Sequence, residues 1–110
     1  MAKQSTDLLR GTLDLLILKT LELEPRHGVA VADRIAQITN GTFVVKPGSL
    51  FPALHRLEAD GFIVGQWGET AEGRRAKVYE LSAAGRKQLR TEKKNWLKIS
   101  VAMGQVLESD

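Results

Sequence analysis

The chain of 110 residues contains no cysteine. This absence excludes a disulfide framework and a zinc site built from thiolates, and it is compatible with a reducing cytosol. Long apolar runs are also missing, because the longest, Leu13 to Leu18, is interrupted by Asp14 and is too short to cross a bilayer. The start of the chain, Met1 to Asp7, lacks the apolar core of a signal peptide. We therefore expect a soluble, cytoplasmic protein of one domain.

Features of an active site are scarce as well. The two histidines, His27 and His55, belong to different predicted helices and have neither a paired nucleophile nor the spacing of metal ligands. The glycines mark turns and form no loop that could cradle a phosphate. We expect no enzymatic activity, no cofactor and no metal site. His27 is expected to cap the second helix or to pack beside it.

Positive charge is in mild excess, with a formal net charge of +3, which suggests a polyanionic partner. One cluster lies between Arg86 and Lys98, where six basic residues face a single acidic residue, Glu92. A second cluster consists of Arg74, Arg75 and Lys77. From charge alone, a solvated protein surface explains either cluster equally well.

Hydrophobic periodicity predicts two helices in the first part of the chain. Leucines near helical spacing indicate a buried amphipathic helix over Leu8 to Leu23, with Pro25 just beyond its end. A second helix is predicted over Gly28 to Ile38, and Asn40-Gly41 supplies the left-handed residue that ends it. The short segment Thr42 to Val45 is rich in β-forming residues and is a candidate strand.

A third helix is predicted to start around Pro47 to Ser49 and to run to about Asp60, with Gly61 ending it. Pro52 fits only near the first turn, because deeper in a helix it removes a hydrogen bond. The apolar stripe of this helix is formed by Leu50, Leu54 and Leu57.

Two strands and a long helix follow. The strands are predicted over Phe62 to Trp67 and Ala76 to Leu81, joined by a polar loop, and Trp67 and Tyr79 are expected to pack within the sheet. Ser82 is expected to cap a helix that continues to about Leu107. Three helices followed by a β-hairpin define a winged helix-turn-helix domain, mainly α, over residues 1–81. Residues 82–110 are expected to form a C-terminal dimerisation helix within the same compact unit.

The length of the last helix suggests a partner. About 26 residues at roughly 1.5 Å each give about 39 Å, longer than a compact domain of this size is wide. Five apolar residues of this helix follow heptad spacing and could form the seam between two copies of the helix: Leu89, Trp96, Met103, Ile99 and Val106. Glu92 occupies one position of the same repeat and weakens the seam there. We expect a homodimer; the alternative is that the helix folds back on its own domain.

Several sequence motifs together resemble the PadR family of transcriptional regulators. They are GTLDLLIL at 11–18, HG at 27–28, GSLFPALHRLE at 48–58, WG at 67–68, RRAKVY at 74–79, LSAAGR at 81–86 and Trp96. The chain resembles the short subgroup with a single C-terminal helix. The resemblance implies a homodimeric repressor that binds a roughly palindromic operator and is often released by a small molecule. The rival interpretation is a winged-helix protein-interaction module without DNA binding.

The resemblance assigns DNA contacts to the third helix and the hairpin, which would be the wing. Ser49 and His55 can read bases, whereas Lys46 and Arg56 are expected to hold phosphates. Phe51 stands where relatives usually have tyrosine, so its ring either contacts a thymine methyl or sugar or turns inward. From the wing we expect contacts by Arg74, Arg75 and Lys77. Ion pairs with Glu69 and Glu72 within the loop are the alternative for these wing cations.

Drug-sensing members of the family hold flat aromatic ligands between two copies of the tryptophan that matches Trp96. The resemblance therefore implies a small aromatic ligand at the dimer seam, with Leu8, Lys93 and Ser100 beside Trp96. A plain dimer core is the alternative use of this tryptophan.

Overall fold

The structure, a computed structural model, describes the backbone of residues 2–110 and the side chains of residues 11–110. Four helices and three strands follow one another in the order that defines a winged helix. They are α1 (Ala2–Leu23), β1 (Arg26–His27), α2 (Gly28–Ile38), α3 (Pro47–Ala59), β2 (Ile63–Glu69), β3 (Arg75–Leu81) and α4 (Ala83–Leu107). The predicted fold class is confirmed, with three helices before the β2–β3 hairpin and one long helix after it.

The helix ends agree with the local sequence signals. Asn40 and Gly41 follow α2 with positive φ angles of 52° and 80°, and Gly61 follows α3 with a φ of 80°. Such a left-handed backbone stops a helix and is least costly for glycine and asparagine. At the start of α4 the hydroxyl of Ser82 accepts a hydrogen bond of 3.0 Å from the amide of Gly85. These residues confirm the predicted ends of α2 and α3 and the predicted start of α4, whereas α1 begins at Ala2, earlier than the expected Leu8.

The sheet differs from the prediction in one strand. The segment Thr42 to Val45 forms no strand, and Val44 is exposed there. The third strand is instead β1, which pairs antiparallel with β3 through Arg26 and His27, so that the strand order is β1-β3-β2. Residues 43–45 instead line a pocket with Thr12, Leu13 and Leu16 of α1, so this β-rich segment lies beside a helix and pairs with no strand.

Two local expectations also need correction. Pro52 is the sixth residue of α3 and therefore lies beyond its first turn. Its ring is exposed, and so is Gly48, whose carbonyl group loses the helical bond and remains accessible to water. His27 occupies the N-cap position of α2 and is also the last residue of β1, but its side chain makes no capping hydrogen bond.

The core is built from the inward faces of α1, α2, α3 and the sheet. Its members with the lowest exposure are Ile17, Leu18, Val31, Leu50, Leu54 and Ile63. Leu89 of α4 belongs to this core as well and is only 3% exposed. The expectation that Leu89 forms part of the dimer seam is therefore wrong, because the first turns of α4 pack on α1 and β3 of the same chain.

Beyond Leu89, α4 continues beside α1 as far as Ile99 and exposes large apolar side chains. Trp96 is 47% exposed, and Ile99, Met103 and Val106 are exposed further still. The molecule is correspondingly elongated, with principal extents of 58 × 28 × 25 Å. Among the described helices none is both long enough and apolar enough to span a membrane.

Packing at the start of α4 predicts that Gly85 cannot be replaced by a larger residue without loss of stability. A Cβ atom added at Gly85 would overlap the backbone carbonyl oxygen of Phe62, whereas one added at Gly104 has no atom within 4 Å. Gly85→Ala should lower the free energy of unfolding by about 2 kcal/mol or more through this overlap. Gly104→Ala should raise it by about 0.5–1 kcal/mol, because alanine is the better helix former. Urea unfolding of both variants checks the contrast, and equal effects would contradict it.

Candidate nucleic-acid interface

One side of α3 is buried and the other faces solvent. Leu50, Leu54 and Leu57 lie in the core, which confirms the predicted stripe. Lys46, Ser49 and His55 are exposed. Burial of the leucines therefore leaves donors and acceptors on the outer side of the helix, where a DNA groove could receive them.

The ring of Phe51 packs inward, toward α2. It is half-buried against the core, and its Cε1 atom would lie 3.1 Å from a Cβ atom added at Gly28. Only a glycine therefore fits easily opposite this ring. Of the two orientations expected for Phe51, the structure shows the one that fills space between α2 and α3.

Arg56 lies between α3 and α1 and is not free at the surface. Its guanidinium group donates a hydrogen bond to the carboxylate of Asp14 and forms an ion pair with it, and both side chains are less than one third exposed. The pair joins positions 42 residues apart in the chain. It holds α3 against α1, so the predicted phosphate contact of Arg56 would compete with this internal bond.

The wing consists of β2, β3 and the loop between them, residues 70–74. The loop is closed by a backbone bond of 2.7 Å from Thr70 to Arg74 and turns at Gly73, whose φ is 79°. Arg74 and Arg75 are exposed, and neither forms an ion pair with a described side chain, including Glu69 and Glu72. Ion pairing within the loop therefore does not account for these two cations.

Trp67 is the exposed aromatic residue of the wing. Its side chain is 62% exposed, and the guanidinium carbon of Arg75 lies 4.7 Å from the ring centroid, a cation–π contact. The expectation that Trp67 packs within the sheet is wrong, because most of its side chain is exposed to solvent. Tyr79, in contrast, is buried as expected, and this burial raises the pKa of its phenol.

Lys77 joins the wing to α3. Its Nζ lies 2.8 Å from a carboxylate oxygen of Glu58, and this hydrogen bond raises the pKa of the ammonium group. A Cβ atom added at Gly65 would lie 2.5 Å from the Lys77 side chain and 3.0 Å from Glu58, so glycine leaves room for this contact. Lys77 is therefore a positioning residue, and its predicted DNA contact would have to be shared with Glu58.

A cavity of about 390 Å³ lies between α3 and the wing. Among the residues that line it are His27, Phe51, His55, Trp67 and Lys77. The tertiary structure thus brings the third helix and the wing together on one surface, as the resemblance implied.

The residues proposed for the dimer seam and ligand lie elsewhere. A groove of about 320 Å³ runs between α1 and α4 and is lined by Gly11, Thr12, Leu15, Glu92, Asn95, Trp96 and Ile99. Lys93, Ser100, Met103 and Val106 are exposed along α4. The side chain of Leu8 lies outside the described residues.

Sequence reasoning missed three residues that position this interface. Asp14 was noted only as an interruption of an apolar run, although a carboxylate in such a run signals a buried polar partner. Glu58 and Gly65 left no local signal, because their role depends on Lys77, which is distant in the chain.

The fold and the surface formed by α3 and the wing define a winged-helix protein. A family model described as the Transcriptional regulator PadR-like family matches residues 17–91. This match covers more than half of the chain, which therefore belongs to the PadR-like family of transcriptional regulators.

Individual relatives agree with this family membership. A transcriptional regulator from Clostridium thermocellum has 26% identity and a TM-score of 0.82, over 90% of this chain and 96% of that one. A PadR family transcriptional regulator from Eggerthella lenta has 27% identity and a TM-score of 0.80, over 99% and 93%. The Transcriptional regulator Rv3488 from Mycobacterium tuberculosis is 42% identical over 53 residues, 48% of this chain and 49% of that protein.

The ion pair between Arg56 and Asp14 predicts energetic coupling between α3 and α1. Arg56→Gln and Asp14→Asn should each destabilise the protein, and the double variant should lose less than the sum, with a coupling energy of about 1 kcal/mol. Urea unfolding of the four proteins measures this cycle. Strictly additive losses would show that the pair does not hold the two helices together.

Proposed function

We propose that this regulator is a sequence-specific DNA-binding repressor in which α3 enters the major groove and the wing contacts the adjacent backbone or minor groove. The observation that carries the proposal is the common surface of the two elements, with Ser49 and His55 exposed on α3 and Arg74 and Arg75 exposed on the wing. The matched relatives are named transcriptional regulators, which supports a regulatory role over a catalytic one.

α3 and the wing make different kinds of contact with DNA in this proposal. Ser49 and His55 offer hydrogen bonds to base edges, whereas Lys46, Arg74 and Arg75 are long, exposed cations suited to phosphates. Arg56, Lys77 and Phe51 act mainly from within, because the first two have carboxylate partners and the third packs against α2. Affinity then rests on few cations and falls as salt is added.

Exposed apolar residues on α4 support a homodimer. Trp96, Ile99, Met103 and Val106 lie within about 80° of one another around the helix, at 100° per residue, and are all exposed. Because a second copy presents the same stripe, a two-fold axis can bury both. A dimer places two α3 helices on one duplex, as a roughly palindromic operator requires.

We also propose that a small aromatic ligand binds beside Trp96 and regulates the repressor. The groove between α1 and α4 is adjacent to the stripe that the partner would cover, so an occupant there would alter the spacing of the two α3 helices. A coupling free energy of about 1–3 kcal/mol is typical of such regulation. The test is to titrate planar aromatic compounds into a Trp67→Phe variant, in which tryptophan emission reports on Trp96.

The wing prediction tests DNA binding directly. A gel shift with the DNA upstream of the protein's own gene, at two salt concentrations, should show binding that weakens with salt; the protein-interaction alternative predicts no such binding. Arg74→Ala/Arg75→Ala should weaken binding to this DNA and to random DNA alike. A plot of the logarithm of the binding constant against the logarithm of the salt concentration should be less steep for this variant. The slope should change by about 0.9 for each phosphate that the variant no longer neutralises.

A matched variant separates contact from positioning in this experiment. Lys77→Gln should mainly lower stability, because it removes the partner of Glu58. Unchanged affinity and slope in a folded Arg74→Ala/Arg75→Ala protein would show that the wing is not a DNA arm.

The dimer seam predicts opposite results for two similar substitutions on α4. Ile99 is 54% exposed and Leu97 is 49% exposed, so aspartate at either position should leave the single chain folded. Ile99→Asp should abolish the dimer by placing a charge in the apolar seam. Leu97→Asp should remain dimeric, because Leu97 lies about 160° away around the helix. Analytical ultracentrifugation distinguishes these states, and a dimeric Ile99→Asp would place the seam elsewhere.

A further inference from the structure

The side of α4 that faces away from the proposed dimer seam is densely basic. Six residues in this segment are basic, and all six side chains are exposed: Arg86, Lys87, Arg90, Lys93, Lys94 and Lys98. None of them forms an ion pair with another side chain of residues 11–110. Glu92, the acidic residue in this span, lines the groove beside Trp96 and accepts a hydrogen bond from Gln88. It lies about 160° around the helix from Arg90 and Lys94, on the opposite side, so it does not neutralise the basic face.

The basic face points away from the domain. With Leu89 buried beneath α4, Lys87, Lys94 and Lys98 lie about 140–180° around the helix from it. α4 packs on α1 and β3, whereas α3 packs on α1, α2 and β2. The basic face is therefore a second charged surface, separate from the one formed by α3 and the wing.

One edge of the face has an acidic neighbour on α1. The pKa of Glu22 is lowered chiefly by a hydrogen bond from Lys19, and further by the charges of Arg86 and Lys93. Farther from α1, no such acidic neighbour is found among the described residues. We call that outer part the basic stripe; it consists of Lys87, Arg90, Lys94 and Lys98.

This arrangement is unfavourable for the isolated protein. Like charges three or four positions apart on a helix repel, and Arg90 has four such neighbours: Arg86, Lys87, Lys93 and Lys94. Arg86 and Lys87 also lie near the N-terminus of α4, where the helix dipole disfavours cations and the first turn contains no acidic residue. Helix surfaces that serve only solubility carry mixed charges. A local electrostatic conflict of this kind is typical of a binding surface.

We propose that the basic stripe binds the phosphate backbone of a second DNA duplex while α3 and the wing hold the first. From Lys87 to Lys98 the stripe advances about 16 Å along the helix, in steps of about 4.5–6 Å. A line of one sign with no interspersed acid matches the uniform charge of a duplex better than the mixed surface of a protein. Lysine and arginine contacts to phosphates carry no sequence information. The regulator therefore bridges its specific site to a second segment of any sequence.

The bridging experiment uses the full-length protein and two duplexes. The DNA upstream of the protein's own gene is immobilised, the protein is added, and capture of a fluorescent 30-base-pair duplex of random sequence is measured. Wild-type protein should capture the second duplex, and Lys87→Glu/Lys94→Glu/Lys98→Glu should capture it at least tenfold more weakly while still binding the first. This variant should unfold at the same or a higher urea concentration, because repulsion is removed. A misfolded protein would show the opposite.

A matched pair of single substitutions controls for overall charge. Lys94→Glu and Lys19→Glu change the net charge equally, and Lys19 is exposed on α1 outside the stripe. Only Lys94→Glu should reduce capture, with a flatter salt dependence of the second binding step. Equal loss in the two single variants, or unchanged capture by the triple variant, would overturn the proposal.

Two further measurements test the proposal: competition by an acidic polypeptide, and direct titration of the random duplex. If polyglutamate displaces the second duplex as effectively as unlabelled random DNA does, the face recognises acidic polypeptides and the DNA proposal is wrong. Fluorescence anisotropy of the random duplex with the Arg74→Ala/Arg75→Ala variant isolates the stripe. If the Arg74→Ala/Arg75→Ala variant still binds the random duplex, and adding Lys87→Glu/Lys94→Glu/Lys98→Glu abolishes that binding, the basic stripe is a DNA-binding surface. This conclusion holds even if the protein does not bind the upstream DNA. Failure of the proposed operator interface is thereby distinguished from failure of the stripe.

Discussion

The side chains of Leu50, Leu54 and Leu57 are almost completely buried beneath α3, and the rest of the interface depends on this packing. Because α3 turns about 100° per residue, burying one stripe determines which residues face solvent. Ser49 and His55 are outside for this reason. The ion pair between Arg56 and Asp14 adds a directional contact to a non-directional apolar one, and it resists rotation of α3 about its own axis.

The wing depends on α3 in turn. Glu58, near the end of α3, binds Lys77 in β3, and Gly65 in β2 leaves the space in which the two side chains meet. This contact sets where Arg74 and Arg75 lie relative to Ser49 and His55. Arg56 and Lys77 are thus bound to carboxylates and position the neighbouring elements. Phosphate binding is therefore left to the few cations of the interface that have no carboxylate partner.

The long helix α4 combines three surfaces that follow one another around its axis and along its length. Its first turns pack into the core through Leu89, its far half exposes the apolar stripe around Trp96, and the remaining face is basic. Each surface is unfavourable in water or in isolation unless something covers it. The domain covers the first, and a second copy and a polyanion are the proposed partners of the other two.

The sequence by itself determined the order of the elements and the family. Helix periodicity, the stop signals at Asn40-Gly41 and Gly61, and the Ser82 cap are local, so they can be recognised without a fold. The motif at 48–58 is dense enough to indicate the PadR family, and the match over residues 17–91 agrees with it. The basic and apolar faces of α4 could also be recognised from spacing alone.

Only the tertiary structure decided which charged and apolar side chains have a partner within the chain and which are left to contact other molecules. Arg56, Lys77 and Leu89 have the same local patterns as exposed cations or seam leucines, and what distinguishes them is a partner far away in the chain. The same holds for the short segment Thr42 to Val45, which has strand propensity but lies against α1 and pairs with no strand. It also holds for β1, whose two residues form a strand only because β3 is there. Pairing energy and burial arise from neighbours in space, and a single sequence does not specify which neighbours those are.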